Sequence, residues 1–404
     1  MAIVAGMDDA RSVLTWPRAD RVPVTVITEG RTSRDRSTTH HLEAFVPPAI
    51  ARIPIALPDR LTPAVVAAER ALAELDAHLN ASGAAVVEAA TFALLRSESL
   101  SSSRIEGISV THRRLAEAVH DAGSARRLAR EVVGNIDAMR SAVVHGSSAD
   151  PFTPDDILEL HRLLMAGVVG IEEGVYRTKQ NWIGAEHVDD GVVYVPPPPD
   201  AIGPLMTDLC EFINDSPTSS TVRAAIAHAQ FEAVHPFVDG NGRVGRCIVS
   251  VTLRKAGGTS TIPPVSSVLL ADTDRYFDSL LQFQQHADPE PWIEQFAEAT
   301  IEACRIAKAL VDDIEELKAD WRGRTRARSG SHMRRLIDVL PTLTLATADQ
   351  VADRLGVDGN QARRLLGQLE EAGIATQASD GRRNRVWRVD EMLRLLDDHS
   401  IARH

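Results

Sequence analysis

The chain has 404 residues, 44% hydrophobic and 25% charged, with a formal net charge of −12. That length predicts about two or three domains, and the acidic balance argues against a protein that coats nucleic acid or anionic membrane through its overall field. The three cysteines, Cys210, Cys247 and Cys304, show no CxxC or Cys/His pairing, which excludes a disulfide framework and a cysteine-type zinc site and fits a reducing cytosol.

The opening MAIVAGMDDARSVLTWPRAD carries acids early and lacks a basic start followed by an apolar run. No stretch approaches the roughly eighteen apolar residues of a membrane span, so a cytoplasmic protein without membrane contact is expected. Residues 1–60 have few helical periods and several prolines, and predict an extended arm lying on the rest. From PAVVAAERALAELDAHL onward, apolar residues recur at spacings of three and four, the helical period. Helices are expected over 85–106, 111–120, 124–145 and 154–165, all rich in Ala, Leu and Glu.

NWIGAEHVDDGVVYVPPPPD (181–200) interrupts this with alternating Val and Tyr around Asp190-Gly191, the pattern of a β-hairpin that the prolines end. Helices resume over 202–214, 221–234, 243–256, 274–286 and 290–318. The basic, Gly/Ser-containing 320–333 is expected to be a linker. Residues 334–396 have a helix, helix, hairpin pattern of their own, and no internal repeat is present.

HPFVDGNGRVGR (235–246) lies between two of these helices. Pro236 stops the first at His235, and Phe237 would anchor the loop inward. Gly240, Asn241 and Gly242 can take backbone angles closed to most residues, so that successive N–H groups converge on an anion. The next helix adds free N–H groups and a positive dipole end, with Arg243 and Arg246 on one face. Together these describe a polyphosphate cradle. Asp239 beside it is an oxygen ligand suited to Mg²⁺, and His235 is placed as a general base. Singly, each residue has an ordinary role as a cap or a buried, hydrogen-bonded side chain; the combination in this order does not. No GxxxxGK[ST] occurs, so a Walker A loop is excluded.

The loop resembles the Fic family motif HxFx[DE]GNGRxxR at every fixed position. AFVPPAI, the 184–197 hairpin and YFDSLLQFQQHADPEPWIEQF are similar to the family's arm, flap and closing helices, so residues 40–310 or so are covered. The resemblance implies a mainly α fold: a Fic-type helical bundle with a β-hairpin flap, here followed by a C-terminal winged helix-turn-helix domain. Its boundaries would be 1–110 for the arm and inhibitory helix region, 111–319 for the catalytic core, 320–333 for the linker and 334–404 for the winged-helix-like domain. It also implies transfer of AMP from ATP to a Ser, Thr or Tyr hydroxyl of a target protein. His235 would take the hydroxyl proton and Asp239 would hold Mg²⁺ between the α- and β-phosphates. Gly240, Asn241 and Gly242 would stabilise the α-phosphate, Arg243 the β side, and Arg246 would orient the γ-phosphate.

SLSSSRIEGI (99–108) fits a helix end capped by Gly107. In a Fic-like chain, Ser102, Glu106 and Gly107 also match the [ST]xxxE[GN] inhibitory motif, in which Glu106 would pair with Arg246. A target would lie along the flap through main-chain hydrogen bonds. Tyr276 falls where the family often places an adenine-side residue, with core packing the alternative. In the C-terminal unit Arg363 and Arg364 mark the second helix and Arg382, Arg383 and Arg385 the hairpin tip. That unit could contact DNA or serve as a protein-contact or dimerisation module. A DNA-binding regulator using the Fic body as a nucleotide sensor, and AMP removal or another nucleotidyl transfer, are the competing functions.

Overall fold

The computed structural model describes residues 14–28, 38–120, 127–184, 188, 191–378 and 385–399. A two-stranded antiparallel ribbon comes first, β1 (Asp20–Thr28) and β2 (Thr38–Val46). Five helices follow: α1 (Thr62–Ala81), α2 (Ala84–Ile105), α3 (His112–His120), α4 (Arg127–Ser147) and α5 (Pro154–Met165). The hairpin of β3 (Ile183–Gly184) and β4 (Val192–Tyr194) leads into α6 (Pro199–Asp215), α7 (Ser220–Val234) and α8 (Asn241–Lys255). Then come α9 (Val265–Leu269), α10 (Thr273–His286) and the long α11 (Glu290–Arg324). The C-terminal elements are α12 (His332–Val339), β5 (Leu345–Thr347), α13 (Ala348–Leu355), α14 (Gly359–Glu371), β6 (Thr376–Gln377), β7 (Val386–Arg388) and α15 (Asp390–Asp398), the strands in the order β5-β7-β6.

The protein is mainly helical, as the periodicity predicts. The arm is a ribbon whose alternation turns Val22, Val24 and Val26 inward and leaves Arg21, Pro23, Thr25 and Ile27 exposed. α11 continues through Arg324 into the expected linker, because the buried stripe Leu310, Ile314, Lys318 and Trp321 keeps helical spacing there. The helix, helix, hairpin reading of 334–396 misses α12, β5 and α15, which add two helices and a strand. Residues 124–126, Asp190, Arg382 and Arg383 lie outside the described residues. Among those described, no helix is long and apolar enough to cross a membrane.

The chain divides into two compact units. The first, Met1–Ala73, Gly134–Ser260 and Asp272–Ile301, is built around α7. Every residue of α7 except Arg223 is buried, as expected of a helix surrounded by others. Its alanines admit close neighbours. The Trp292 indole N–H donates to the Ala225 carbonyl at 2.7 Å, and Tyr194 of β4 donates its hydroxyl to the Ala233 carbonyl at 2.9 Å. Asp208 of α6 accepts from the backbone N–H groups of Ile50 (2.5 Å) and Ala51 (3.1 Å), seating the chain that follows the ribbon. The flap is tied at β4: the Val195 carbonyl accepts from Phe45 N–H at 2.9 Å and the Val193 carbonyl from the Gln285 side-chain amide at 2.7 Å.

The second unit is Glu74–Val133, Thr261–Ala271 and Glu302–His404. There α2 is bolted to α9: Glu98, buried, accepts from Ser266 N–H at 2.8 Å, and the Ser97 and Ser101 hydroxyls meet that of Ser267 at 3.3 and 2.9 Å. Ala116, Leu345, Val386 and Leu393 form a small core joining α3, the sheet and α15.

α7 and α8 approach closely at Gly245, where a Cβ would lie 2.6 Å from Glu232 Oε1 and 3.0 Å from His228 Nδ1. Both contacts are to α7, whose side chains are enclosed. Gly245→Ala is therefore expected to destabilise the protein by about 1–3 kcal/mol through overpacking. Chemical denaturation checks this; a variant as stable as the parent would mean that the helices separate freely.

Candidate active site

The loop between α7 and α8 is fixed from both ends. α7 stops because His235 takes the left-handed conformation (φ 48°, ψ 59°) with its N–H on the Phe231 carbonyl at 2.9 Å. A non-glycine residue there costs roughly 1–2 kcal/mol, so something must hold it. The holder is Arg177. Its Nε donates to the His235 carbonyl at 2.9 Å, its Nη2 to the Pro197 carbonyl at 2.6 Å and its backbone N–H to the Pro236 carbonyl at 2.9 Å. Burial pushes the guanidinium down to about 10, which leaves it charged at neutral pH. One buried cation thus ties the turn to the chain leaving the flap.

Phe237 is fully buried, as an inward anchor requires, and its ring stacks on His161 of α5 with centroids 3.8 Å apart and planes within 2°. Gly174 N–H donates to His161 Nδ1 at 2.8 Å, so the ring proton sits on Nε2, which donates to the Asp239 carbonyl at 3.2 Å. Burial, the main cause, pushes His161 down to about 4 and keeps it neutral.

Asn241 closes the loop on itself: its Oδ1 accepts from Phe237 N–H at 2.8 Å and its Nδ2 donates to the Phe237 carbonyl at 2.9 Å. Of the three residues expected to form a nest, only Gly240 has a positive φ (81°). Asn241 and Gly242 already belong to the first turn of α8, because the Asn241 side chain is committed to Phe237. Gly240 is required twice over, since a Cβ would also meet Leu164 Cδ2 at 3.0 Å and Met165 Sδ at 3.1 Å. The N–H groups that the loop could offer an anion are thus those of a helix N-terminus.

Arg243 and Arg246 are both buried. Arg243 Nη2 lies 3.6 Å from Asp239 Oδ1, while its Nε and Nη1 have no hydrogen-bond acceptor among the described residues. A buried guanidinium with unfilled donors is costly unless an anion completes it, and phosphate is the anion whose geometry it matches. The Asp239 carboxylate is exposed and takes the Gly240 N–H at 2.6 Å. One exposed carboxylate beside a phosphate cradle suits Mg²⁺, which completes its shell with phosphate and water oxygens. Glu232 Oε2 lies 3.9 Å from His235 Nδ1, a carboxylate behind the candidate base.

Tyr276 is 1% exposed, so its ring offers no open stacking face; its hydroxyl meets His228 Nε2 at 2.7 Å and accepts from Arg246 Nη1 at 3.4 Å. Ser102, Glu106 and Gly107 lie in the second unit. Ser102 is buried, Glu106 is the exposed C-cap of α2, and Gly107 (φ 75°) gives the left-handed end that a capping glycine supplies. The sequence reading missed Arg177, His161, His228 and Glu232, which stand outside the motif and look ordinary alone. Another cluster, His145, Asp156 and Glu159, brings potential metal donors together. Each of its ring nitrogens faces a different carboxylate, at 3.4 and 3.6 Å, which describes a bridged imidazole better than donors converging on one point.

Residues 151–253 match the Fic/DOC family and residues 62–144 the Fic/DOC family N-terminal region. The chain is 30% identical over 180 residues to "Protein adenylyltransferase fic-1" of Caenorhabditis elegans, covering 43% of this chain and 33% of that protein. It is 33% identical over 152 residues to "Protein adenylyltransferase Fic" of Drosophila melanogaster, covering 37% and 28%. The chain thus spans about a third of the length of these curated relatives. In fold it is similar to a Fic family protein from Desulfovibrio desulfuricans (TM-score 0.54, 24% identity, 84% of this chain and 98% of that one). It is also similar to a Fic domain containing signaling protein from Bacteroides thetaiotaomicron (TM-score 0.52, 19% identity, 61% and 97%).

The neutral His161 carries a pH dependence. Its folded value of about 4 lies below the unfolded 6.5, so between those pH values the unfolded chain holds a proton that the folded chain lacks. Stability therefore falls as pH drops from 6.5 towards 4, by about 1.4 kcal/mol per pH unit for each such histidine. His161→Asn should make the slope shallower by about one proton, read from denaturation at a series of pH values. Superimposable slopes would mean that His161 titrates normally.

Proposed function

Residues 62–144 and 151–253 of this chain belong to the Fic/DOC family, and from that premise we propose that the chain is a protein adenylyltransferase. The observation that carries this reading is a histidine held in a left-handed turn immediately before a helix N-terminus with two buried arginines. The relatives named as protein adenylyltransferases support it.

The target's Ser, Thr or Tyr hydroxyl gives its proton to His235 as its oxygen attacks the α-phosphorus of ATP. The bond to the β-phosphate oxygen breaks and pyrophosphate leaves. The N–H groups at the start of α8 offset charge on the α-phosphate, Arg243 that on the β side, and Arg246 orients the γ-phosphate. Asp239 would hold Mg²⁺, which would supply further neutralisation of phosphate charge. The target lies along the flap as an added strand.

Ser102, Glu106 and Gly107 support a self-inhibited enzyme. A carboxylate and a γ-phosphate compete for the same guanidinium fork. While Glu106 holds Arg246, the α-phosphate is misaligned, and a displacement near one ångström costs on the order of 100-fold in rate. The succession β5, α13, α14, β6, β7 supports a winged helix in the C-terminal unit, with the exposed Arg363 and Arg364 on its second helix placed to meet nucleic acid phosphates.

The test of transfer is incubation of the purified chain with ATP labelled at the α-phosphate and a cell lysate, followed by mass spectrometry of modified side chains. Glu106→Gly should raise labelling by one to two orders of magnitude, and Arg246→Ala added to it should cancel the gain. His235→Ala should abolish transfer in that background while ATP still binds. A folded Glu106→Gly chain that transfers no AMP would end this reading, and unchanged labelling by it would end the inhibitory one.

For the C-terminal unit, reversing charge at both Arg363 and Arg364 to Glu should reduce retention of a pool of genomic duplexes about tenfold or more at fixed salt. Equal retention by variant and parent would assign the unit to protein contacts instead.

A further inference from the structure

Arg246 is 2% exposed, and the position of its guanidinium decides what it can grip. Behind it lies a chain of two hydrogen bonds. Nη1 of Arg246 donates to the Tyr276 hydroxyl oxygen at 3.4 Å, and that hydroxyl lies 2.7 Å from Nε2 of His228. An arginine can only donate. The tyrosine oxygen therefore accepts from it, and the one acceptor 2.7 Å away for the tyrosine's own hydrogen is His228 Nε2 in the tautomer that leaves a lone pair there. Burial, and then the charge of Arg246, push His228 down to about 3, so the ring is neutral at any working pH and can offer that lone pair.

The pair is braced on several sides. The His228 and Tyr276 rings lie within 15° of parallel with centroids 6.0 Å apart, and the Trp292 ring packs against both, at 5.5 and 5.4 Å. Gly245 leaves room for the imidazole, since a Cβ there would meet Nδ1 at 3.0 Å. Tyr276 offers no open face as an adenine platform, and its hydroxyl is engaged from two directions.

We propose that Tyr276 and His228 are positioning residues for Arg246: the tyrosine hydroxyl, oriented by the neutral imidazole, aims the guanidinium at the terminal phosphate of a bound nucleoside triphosphate. The inference rests on the reading of Arg246 as the γ-phosphate contact. It assigns the discrimination between a triphosphate and a diphosphate to a hydroxyl that touches neither. Loss of that hydroxyl leaves the charge of Arg246 in place but removes a contact that directs it. The consequence is selective, because a misdirected Arg246 weakens ATP and leaves ADP, which has no γ-phosphate, as it was.

Calorimetric affinities for ATP and ADP, both with Mg²⁺, test this in the full-length Glu106→Gly chain, where no carboxylate at 106 competes for Arg246. Tyr276→Phe removes one oxygen and should weaken ATP about tenfold, the order expected of a hydrogen bond to a charged group, while ADP changes less than about twofold. His228→Gln keeps a carbonyl acceptor for the tyrosine and should retain the preference for ATP; His228→Leu should lose it. Arg246→Ala calibrates the scale. If it loses the preference for ATP and Tyr276→Phe does not, the positioning role is overturned while the γ-phosphate contact stands. If Arg246→Ala keeps the preference, the underlying contact is wrong and the inference falls with it. Equal weakening of ATP and ADP in Tyr276→Phe would reduce the tyrosine to a packing residue. Thermal melts establish that each variant is folded, and His228→Leu and His228→Gln carry the comparison if Tyr276→Phe is not.

Discussion

Two helices, α7 and α8, meet at Gly245 where no side chain fits, and six residues connect one to the other. So short a loop between enclosed helices has few conformations, and most of its polar groups end up away from water. The left-handed turn at His235, the Asn241 clamp on Phe237 and the single left-handed glycine at 240 all answer the same requirement. Each backbone group of the loop must find a partner without lengthening the chain. The chemistry of the site follows from the packing: residues pinned this tightly present a helix N-terminus in one fixed direction.

Electrostatically the site is built from permanent cations backed by permanently neutral imidazoles. Arg177, Arg243 and Arg246 are buried, and His161 and His228 are held uncharged by burial. Protonation of either histidine would add like charge beside a guanidinium and remove the lone pair on which a neighbouring donor depends. Neutral rings give fixed, directional hydrogen bonds without adding charge, whereas a carboxylate in their place would neutralise the neighbouring arginines.

How legible this was in the sequence depends on the distance over which each feature is encoded. The helices from α5 to α8 were readable because their periodicity is local and strong, and the 235–246 loop because its residues are consecutive. The direction of Phe237 followed from its being the one strongly apolar residue there. Arg177 was not readable: it works through four carbonyls some twenty to sixty positions away, and carbonyls leave no mark on composition. The end of α11 was missed because Arg and Gly in 320–324 look like a linker, while the buried stripe reaching Trp321 is set by tertiary packing. The expected three-residue nest became a helix turn because the Asn241 side chain is used on Phe237, a choice that backbone propensity does not reveal.

The flap strand β4 has a further consequence. Its Val193 carbonyl and that of Val195, the residue just after the strand, stand two positions apart on the chain. Both are occupied, one by the Gln285 amide and the other by Phe45 N–H. A two-stranded hairpin would ordinarily present two sticky borders, each a template for unwanted sheet growth. Here the β4 border is sealed by an amide that imitates a neighbouring strand, so sheet growth from that side is blocked.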